Sequence, residues 1–222
     1  MPYRELLAEL EGYADETYRA FHKILLKNDN IAVLGVKTPY LRKTAKKYKD
    51  AVDELFTYPD EYYEVTFIKL TAAALLPFEK FLSYVDKCVS LIDNWATCDC
   101  FDAKCIAKHR EEFLPYIKKY ARADGEFYQR YALVTLLHFY VEESYLPLIF
   151  ELSESSDKTH YYVYMAAAWL IAEVLVKHYD EGVKFLLKNS LDKKTHNKAI
   201  QKACESFRLS DDRKKYLKGI KR

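Results

Sequence analysis

Four side chains in this 222-residue sequence combine types and spacings suited to chemistry on a charged ligand: Trp95, Asp99, Arg130 and Trp169. Two large aromatic faces and a carboxylate suit a positively charged, planar molecule, because the ring quadrupole and the anion both attract a cation. Asp93 and Asn94 are good N-cap residues, so a helix should start at Trp95 and carry Asp99 at i+4 on the same side. Arg130 follows Trp95 by 35 residues and Trp169 follows Arg130 by 39. Whatever brings the four together must therefore repeat at about that interval. Each residue taken alone also suits ordinary helix packing: a tryptophan in a core, an Asp near a helix N-terminus, or an Arg130 paired with Glu126 one turn back.

The elements that must position them are helices. Glycine and proline are scarce, and apolar residues recur at helical spacing over 61–76, 77–91, 95–107, 111–120, 126–141, 144–152 and 158–177. No stretch reads as a strand. Leu76-Pro77-Phe78, Leu114-Pro115-Tyr116 and Leu146-Pro147-Leu148 look like copies of one unit that ends one helix and opens the next, since proline suits a first helical turn. They lie 38 and 32 residues apart, near the period of HEAT and armadillo arrays. The expected architecture is an all-α solenoid of antiparallel helix pairs, a single HEAT-like domain over 1–222 with a concave basic face. Equivalent helices of successive pairs would place the four residues on that face.

Composition narrows the classes. Half of the residues are hydrophobic and 31% are charged, which allows a sizeable core and excludes a disordered chain. No apolar run reaches the length of a bilayer span and residues 1–11 contain no signal-like core, so a cytoplasmic protein without membrane contact is expected. The cysteines Cys88, Cys98, Cys100, Cys105 and Cys204 are odd in number and should be reduced. On a helix Cys98, Cys100 and Cys105 diverge, and no histidine completes a set, so no metal is expected. Neither a phosphate-binding loop nor a glycine-rich dinucleotide fingerprint occurs, and no cofactor is expected. The formal charge is only +2, but the basic residues cluster. Lys37, Arg42, Lys43, Lys46, Lys47 and Lys49 form one patch without an acid, and Arg213, Lys214, Lys215, Lys218, Lys221 and Arg222 form another. Either is also compatible with a solvated helix face.

Several blocks resemble the AlkD-like DNA alkylation repair glycosylases: Leu34-Gly35-Val36-Lys37-Thr38-Pro39-Tyr40-Leu41-Arg42, Asn94-Trp95-Ala96-Thr97-Cys98-Asp99, Gln129-Arg130-Tyr131-Ala132 and Ala166-Ala167-Ala168-Trp169. The resemblance continues through Asn197-Lys198-Ala199-Ile200 and Glu205-Ser206 and covers nearly the whole chain. It implies a HEAT-like solenoid that removes positively charged N3- and N7-alkylated purines from double-stranded DNA without flipping the base, in contrast to the usual glycosylase strategy. By the same resemblance Trp95 and Trp169 line the sugar and backbone of the damaged nucleotide, Asp99 is the catalytic carboxylate and Arg130 contacts phosphate. An alkylated purine is already a good leaving group, so cleavage needs mainly stabilisation of the cation left on the sugar, which a carboxylate and π faces supply. Arg130, Lys37, Arg42, Lys43, Lys46 and Lys47 would hold backbone phosphates without reading sequence. A monomer is expected to suffice.

The resemblance also implies an arginine one turn after the later tryptophan, where this chain has Ala172, and Lys with Ile-Gly where it reads Met165-Ala166-Ala167-Ala168. Two other readings therefore stay open. One is a non-catalytic binder of damaged, bent or branched DNA on the same face; the other is a protein-interaction scaffold, a common use of helical arrays. Tyr161 and Tyr162, shortly before Trp169, suit either helix packing or stacking on DNA.

Overall fold

A computed structural model of the chain describes residues 3–28 and 30–222. Among these residues there are helices, short 3-10 turns and loops but no strand, only the isolated bridges Ala14–Val36 and Ala32–Tyr62. Met1 and Pro2 of the amino-terminal stretch lie outside the described residues. The all-α expectation holds, and the chain divides into two compact units, Met1–His109 and Arg110–Arg222.

The first unit contains α1 (Tyr3–Glu11), α2 (Glu16–Leu26), α3 (Thr38–Tyr48), α4 (Val52–Leu55), α5 (Tyr63–Ala74), α6 (Phe78–Ser90) and α7 (Trp95–Cys100). α5 is its centre. It packs against α3, α4, α6 and α7 and is buried at every position except Thr71. Phe67, Ile68 and Leu70 are each sealed from water, worth about 1.5–3 kcal/mol apiece. Two charges share this helix, and both are paired as burial requires. Lys69 donates to the Tyr58 carbonyl and to Asp60, at 2.5 and 2.8 Å. The Glu64 carboxylate accepts from the backbone N–H groups of Leu34, Gly35 and Val36 at 3.0, 2.8 and 3.2 Å.

That carboxylate fixes the loop that launches α3. Gly35 sits at φ +93°, and a Cβ there would lie 2.6 Å from the Asp15 carbonyl oxygen, so only glycine fits. α3 then opens with Pro39 in its first turn and buries Leu41, Thr44, Ala45 and Tyr48, the i, i+3, i+4, i+7 stripe of an amphipathic helix. Its other side presents Arg42, Lys43, Lys46 and Lys47 to solvent.

The second unit contains α8 (Arg110–Ala121), α9 (Glu126–Phe139), α10 (Leu146–Ser155), α11 (Tyr161–Lys177), α12 (Tyr179–Lys188), α13 (Lys193–Glu205) and α14 (Asp211–Gly219). Its centre is the row α9, α11, α13, with α11 packed between the other two. α8 and α10 cover α9, α10 and α12 cover α11, and α14 covers α13. Among the described residues no helix is long and apolar enough to cross a membrane.

Two expectations change. The helix expected over 95–107 stops at Cys100 and resumes only as a 3-10 turn, Lys104–Lys108. Phe101 and Ala103 are both buried, and residues two apart reach the same side only in extended backbone, so core burial overrides the helical pattern. Second, Leu-Pro-X does not always mark a boundary. Pro77 caps α6 and Pro147 opens α10, but Pro115 lies inside α8. Pro115 and Glu111 are both exposed, so water can serve the Glu111 carbonyl that the missing N–H would have bonded.

Candidate functional site

In the first unit the site is built on α7. Asn94 is 1% exposed, and its side chain accepts the Thr97 N–H at 2.9 Å, the cap anticipated from its residue type. The adjacent Asp93 accepts from the Asn94 amide at 2.8 Å, which fixes the cap's orientation. This cap sets the start of the helix at Trp95 and brings Asp99, four residues on, to the same side as the ring. Both are half-buried. The Trp95 indole N–H donates to the Leu25 carbonyl at the end of α2, at 3.0 Å, so the ring plane is held and not free to rotate.

The α3 cations fall into distinct groups. Lys37 lies 3.2 Å from Asp15, and Lys47 lies 2.7 Å from Glu9, which also receives Tyr48. Burial pushes the Glu9 carboxyl up, but the hydrogen bonds from Lys47 and Tyr48 and the Lys47 charge bring it below its ordinary value. Among the described residues Lys43 and Lys46 make no ion pair and face solvent, as counterions of a polyanion should. Arg42 comes near enough to α7 for its charge to act on the Cys100 thiol, next in sequence to Asp99. Burial pushes that thiol up, and the Arg42 charge works against the rise. One cation of the basic helix thus lies at the end of the helix that bears the carboxylate.

In the second unit Arg130 is only 6% exposed. Its guanidinium donates to the Tyr162 carbonyl at 2.8 Å and lies 5.7 Å from the centre of the Tyr162 ring. The Glu126 carboxylate takes the Tyr162 N–H at 2.7 Å. Glu126 and Arg130, one turn apart on α9, therefore grip both polar groups of a single α11 residue. Tyr162 is further packed on Phe127, whereas Tyr161 is 48% exposed at the start of α11. Trp169 is half-buried two turns further along, with His138 edge-on to it at 6.4 Å.

The carboxy-terminal basic patch is partly structural. Arg222 donates to the carbonyls of Leu191 and Asn189, and the Arg213 guanidinium lies 4.3 Å from the centre of the Tyr179 ring. The cysteines are free thiols, with Cys88 and Cys98 buried. Among the described residues no group of three or more His, Cys, Asp or Glu side chains is placed to hold a metal ion.

The residues that sequence reading passed over are the anchors. Glu64 and Lys69 hold backbone, Lys69 with Asp60 as a second acceptor, and Glu126, read in the sequence only as a partner of Arg130, holds the Tyr162 N–H. A charge set within an otherwise apolar helical run, as in Glu64 and Lys69 of α5, was the available signal.

An all-helical chain with tryptophan, aspartate and a basic helix around one half-buried helix start is suited to a polyanion bearing a cationic group. The family model described as DNA alkylation repair enzyme matches residues 6–207, and the chain belongs to that family. Membership makes DNA its substrate class. No curated protein matches the chain.

Proposed function

We propose that this protein is a DNA glycosylase that hydrolyses the N-glycosidic bond of positively charged N3- and N7-alkylated purines in duplex DNA, leaving the damaged base unflipped. The observation that carries this reading is α7: an indole pinned by the Leu25 carbonyl with a carboxylate one turn behind it, inside a chain of the DNA alkylation repair family. In this reading Trp95 and Trp169 lie against the sugar and backbone of the lesion. As the C–N bond lengthens, the purine leaves as a neutral base and positive charge develops on the sugar. The Asp99 carboxylate stabilises that charge and takes a proton from the water that adds to the anomeric carbon.

Arg130 and the cations Lys37, Arg42, Lys43, Lys46 and Lys47 contact backbone phosphates. Pairs such as Lys47–Glu9 would exchange a carboxylate for a phosphate, while Lys43 and Lys46 are ready as they stand.

The test is direct. DNA methylated by a simple alkylating agent is incubated with the protein, and released 3-methyladenine and 7-methylguanine are quantified. Wild type should release base and Asp99→Asn should lose most of that rate while still binding DNA. Equal release by the two proteins refutes the catalytic assignment. Ala172, buried on α11 one turn after Trp169, favours a second reading, a non-catalytic binder of damaged or bent duplex. That reading requires salt-dependent binding with no release from either protein.

A further inference from the structure

Beside Trp169, within the second unit, a cleft of about 170 Å³ is lined by Ala172, Glu173, Lys202, Ser206 and Arg208. Trp169, Ala172 and Glu173 come from α11, Lys202 from the last turn of α13, and Ser206 and Arg208 from the segment that follows. Arg208 donates through both terminal nitrogens to the two oxygens of Glu173, at 3.0 and 2.6 Å. Its own backbone N–H donates to Ser206 Oγ at 3.2 Å. Lys177 lies 3.6 Å from the same Glu173 carboxylate.

This arrangement orients a cation without consuming it. Guanidinium has five N–H donors in a rigid fork, and Glu173 takes two, leaving three. The Arg208 side chain is 57% exposed against 17% for Glu173, so the carboxylate is the inner partner and the guanidinium faces outward. Lys202 adds a second cation, and among the described residues it makes no ion pair. Ala172 contributes only a methyl group to the wall, which leaves the space open. On the lining itself Lys202 and Arg208 are matched by Glu173 and Glu205, and Lys177, outside the lining but 3.6 Å from Glu173, adds a further cation beside the cleft. An aromatic wall with an outward guanidinium and an ammonium beside it fits a tetrahedral oxyanion next to a planar or sugar group.

We propose that Arg208 and Lys202 form a phosphate-binding site that receives a backbone phosphodiester of the DNA strand passing Trp169. The inference rests on the reading above in that Trp169 faces DNA. Arg208 supplies the directional bonds and Lys202 the point charge, while Glu173 holds the guanidinium and Ser206 the Arg208 backbone. Arg208 and Lys202 are binding residues and take no part in bond cleavage.

The experiment measures the affinity of the full chain for a fluorescent unmodified duplex by anisotropy over a range of sodium chloride concentrations. Arg208→Ala should weaken binding about tenfold at low salt and reduce the slope of log affinity against log salt by about one, as loss of one phosphate contact requires. Lys202→Ala should do the same to a smaller extent. Glu173→Gln is the control for a purely structural role, because it breaks the internal pair yet leaves Arg208 free. Because the Arg208 charge stays while its orientation is relaxed, this variant should weaken binding clearly less than Arg208→Ala and keep the wild-type salt slope. Moving the charge across the cleft, Ala172→Arg on the Arg208→Ala background, should restore the lost slope.

The proposal is overturned if Arg208→Ala keeps wild-type affinity and slope, or if Glu173→Gln weakens binding as much as Arg208→Ala does. It is also overturned if wild type does not bind duplex. Base release separates this from the glycosylase reading. A wild type that binds through Arg208 but releases no base sinks the glycosylase and leaves the phosphate site. One that releases base while Arg208→Ala is silent does the reverse.

Discussion

Replacing Glu64 should show how far the basic helix depends on one buried carboxylate. Glu64 is fully buried and satisfies three consecutive backbone donors, Leu34, Gly35 and Val36, at 2.8–3.2 Å. In Glu64→Ala the Gly35 and Val36 N–H groups stay buried and lose their acceptor. At about 1–3 kcal/mol for each stranded donor, the loss is about 2–6 kcal/mol. Glu64→Gln is milder. Its amide oxygen can keep the Gly35 and Val36 bonds that now go to Oε1, but its NH2 then faces the Leu34 N–H. One charge-assisted bond is lost, about 1.5–3 kcal/mol. For a chain of this size a change of about 2 kcal/mol lowers Tm by roughly 4–8 °C.

The assay is urea unfolding followed by Trp95 fluorescence in a Trp169→Phe background, since these are the two tryptophans of the chain. Amide exchange at Gly35 and Val36 reports the loop itself and should accelerate in both variants. The stability order should be wild type, Glu64→Gln, Glu64→Ala. If Glu64→Ala unfolds within about 0.5 kcal/mol of wild type with exchange unchanged, the carboxylate does not hold the loop and the reasoning fails.

Gly35→Ala should destabilise by at least about 2 kcal/mol in the same assay, because φ +93° is strained for alanine and the added methyl meets the Asp15 carbonyl oxygen at 2.6 Å. Gly219→Ala, which meets nothing within 4 Å, should stay within about 0.5 kcal/mol. The Glu9 cluster makes stability fall in acid. Its carboxyl titrates below its ordinary value of 4.5 in the folded chain, so its contribution is present above that value and is lost as pH falls through the lowered folded pKa. Glu9→Gln should therefore cost less stability the further the pH falls below 4.5, as read from urea midpoints; a cost that does not shrink in acid would rule out the ion pair as the source.

Much of the helical layout is legible in the sequence because burial on helices leaves a periodic trace. The i, i+3, i+4, i+7 stripe of α3 and the start of α7 at Trp95 follow from residue type and position. The end of α7 is not legible in the same way. Whether Phe101 and Ala103 continue a helix or turn extended into the core depends on which partners await them, and those lie far away in sequence. Pro115 misleads for a related reason: proline marks a boundary only where the missing bond is not tolerated, and an exposed carbonyl tolerates it. Of the candidate site, residue types and spacing pointed to Trp95, Asp99, Arg130 and Trp169, whereas the burial of Arg130 and its hold on Tyr162 arise from the packing of α11 on α9.

The buried charges Glu64, Lys69 and Arg130 and the half-buried Glu126 share one task. Glu64 holds three N–H groups ahead of α3, Lys69 holds the Tyr58 carbonyl, and Glu126 with Arg130 holds the N–H and C=O of Tyr162. Each of these charges is bonded to backbone, Lys69 with the Asp60 carboxylate as a second partner, and a backbone partner costs no side-chain entropy and fixes a loop or helix start at a defined place. On the glycosylase reading proposed above, positioning and chemistry fall to different residues. Asp99 is half-buried on the short helix α7. Substitutions should separate accordingly: Asp99→Asn lowers base release with stability and DNA affinity nearly intact, whereas Glu64→Gln lowers stability and affinity together. A Glu64→Gln protein that stayed stable and bound DNA normally but lost base release would place Glu64 in the chemistry and break this division.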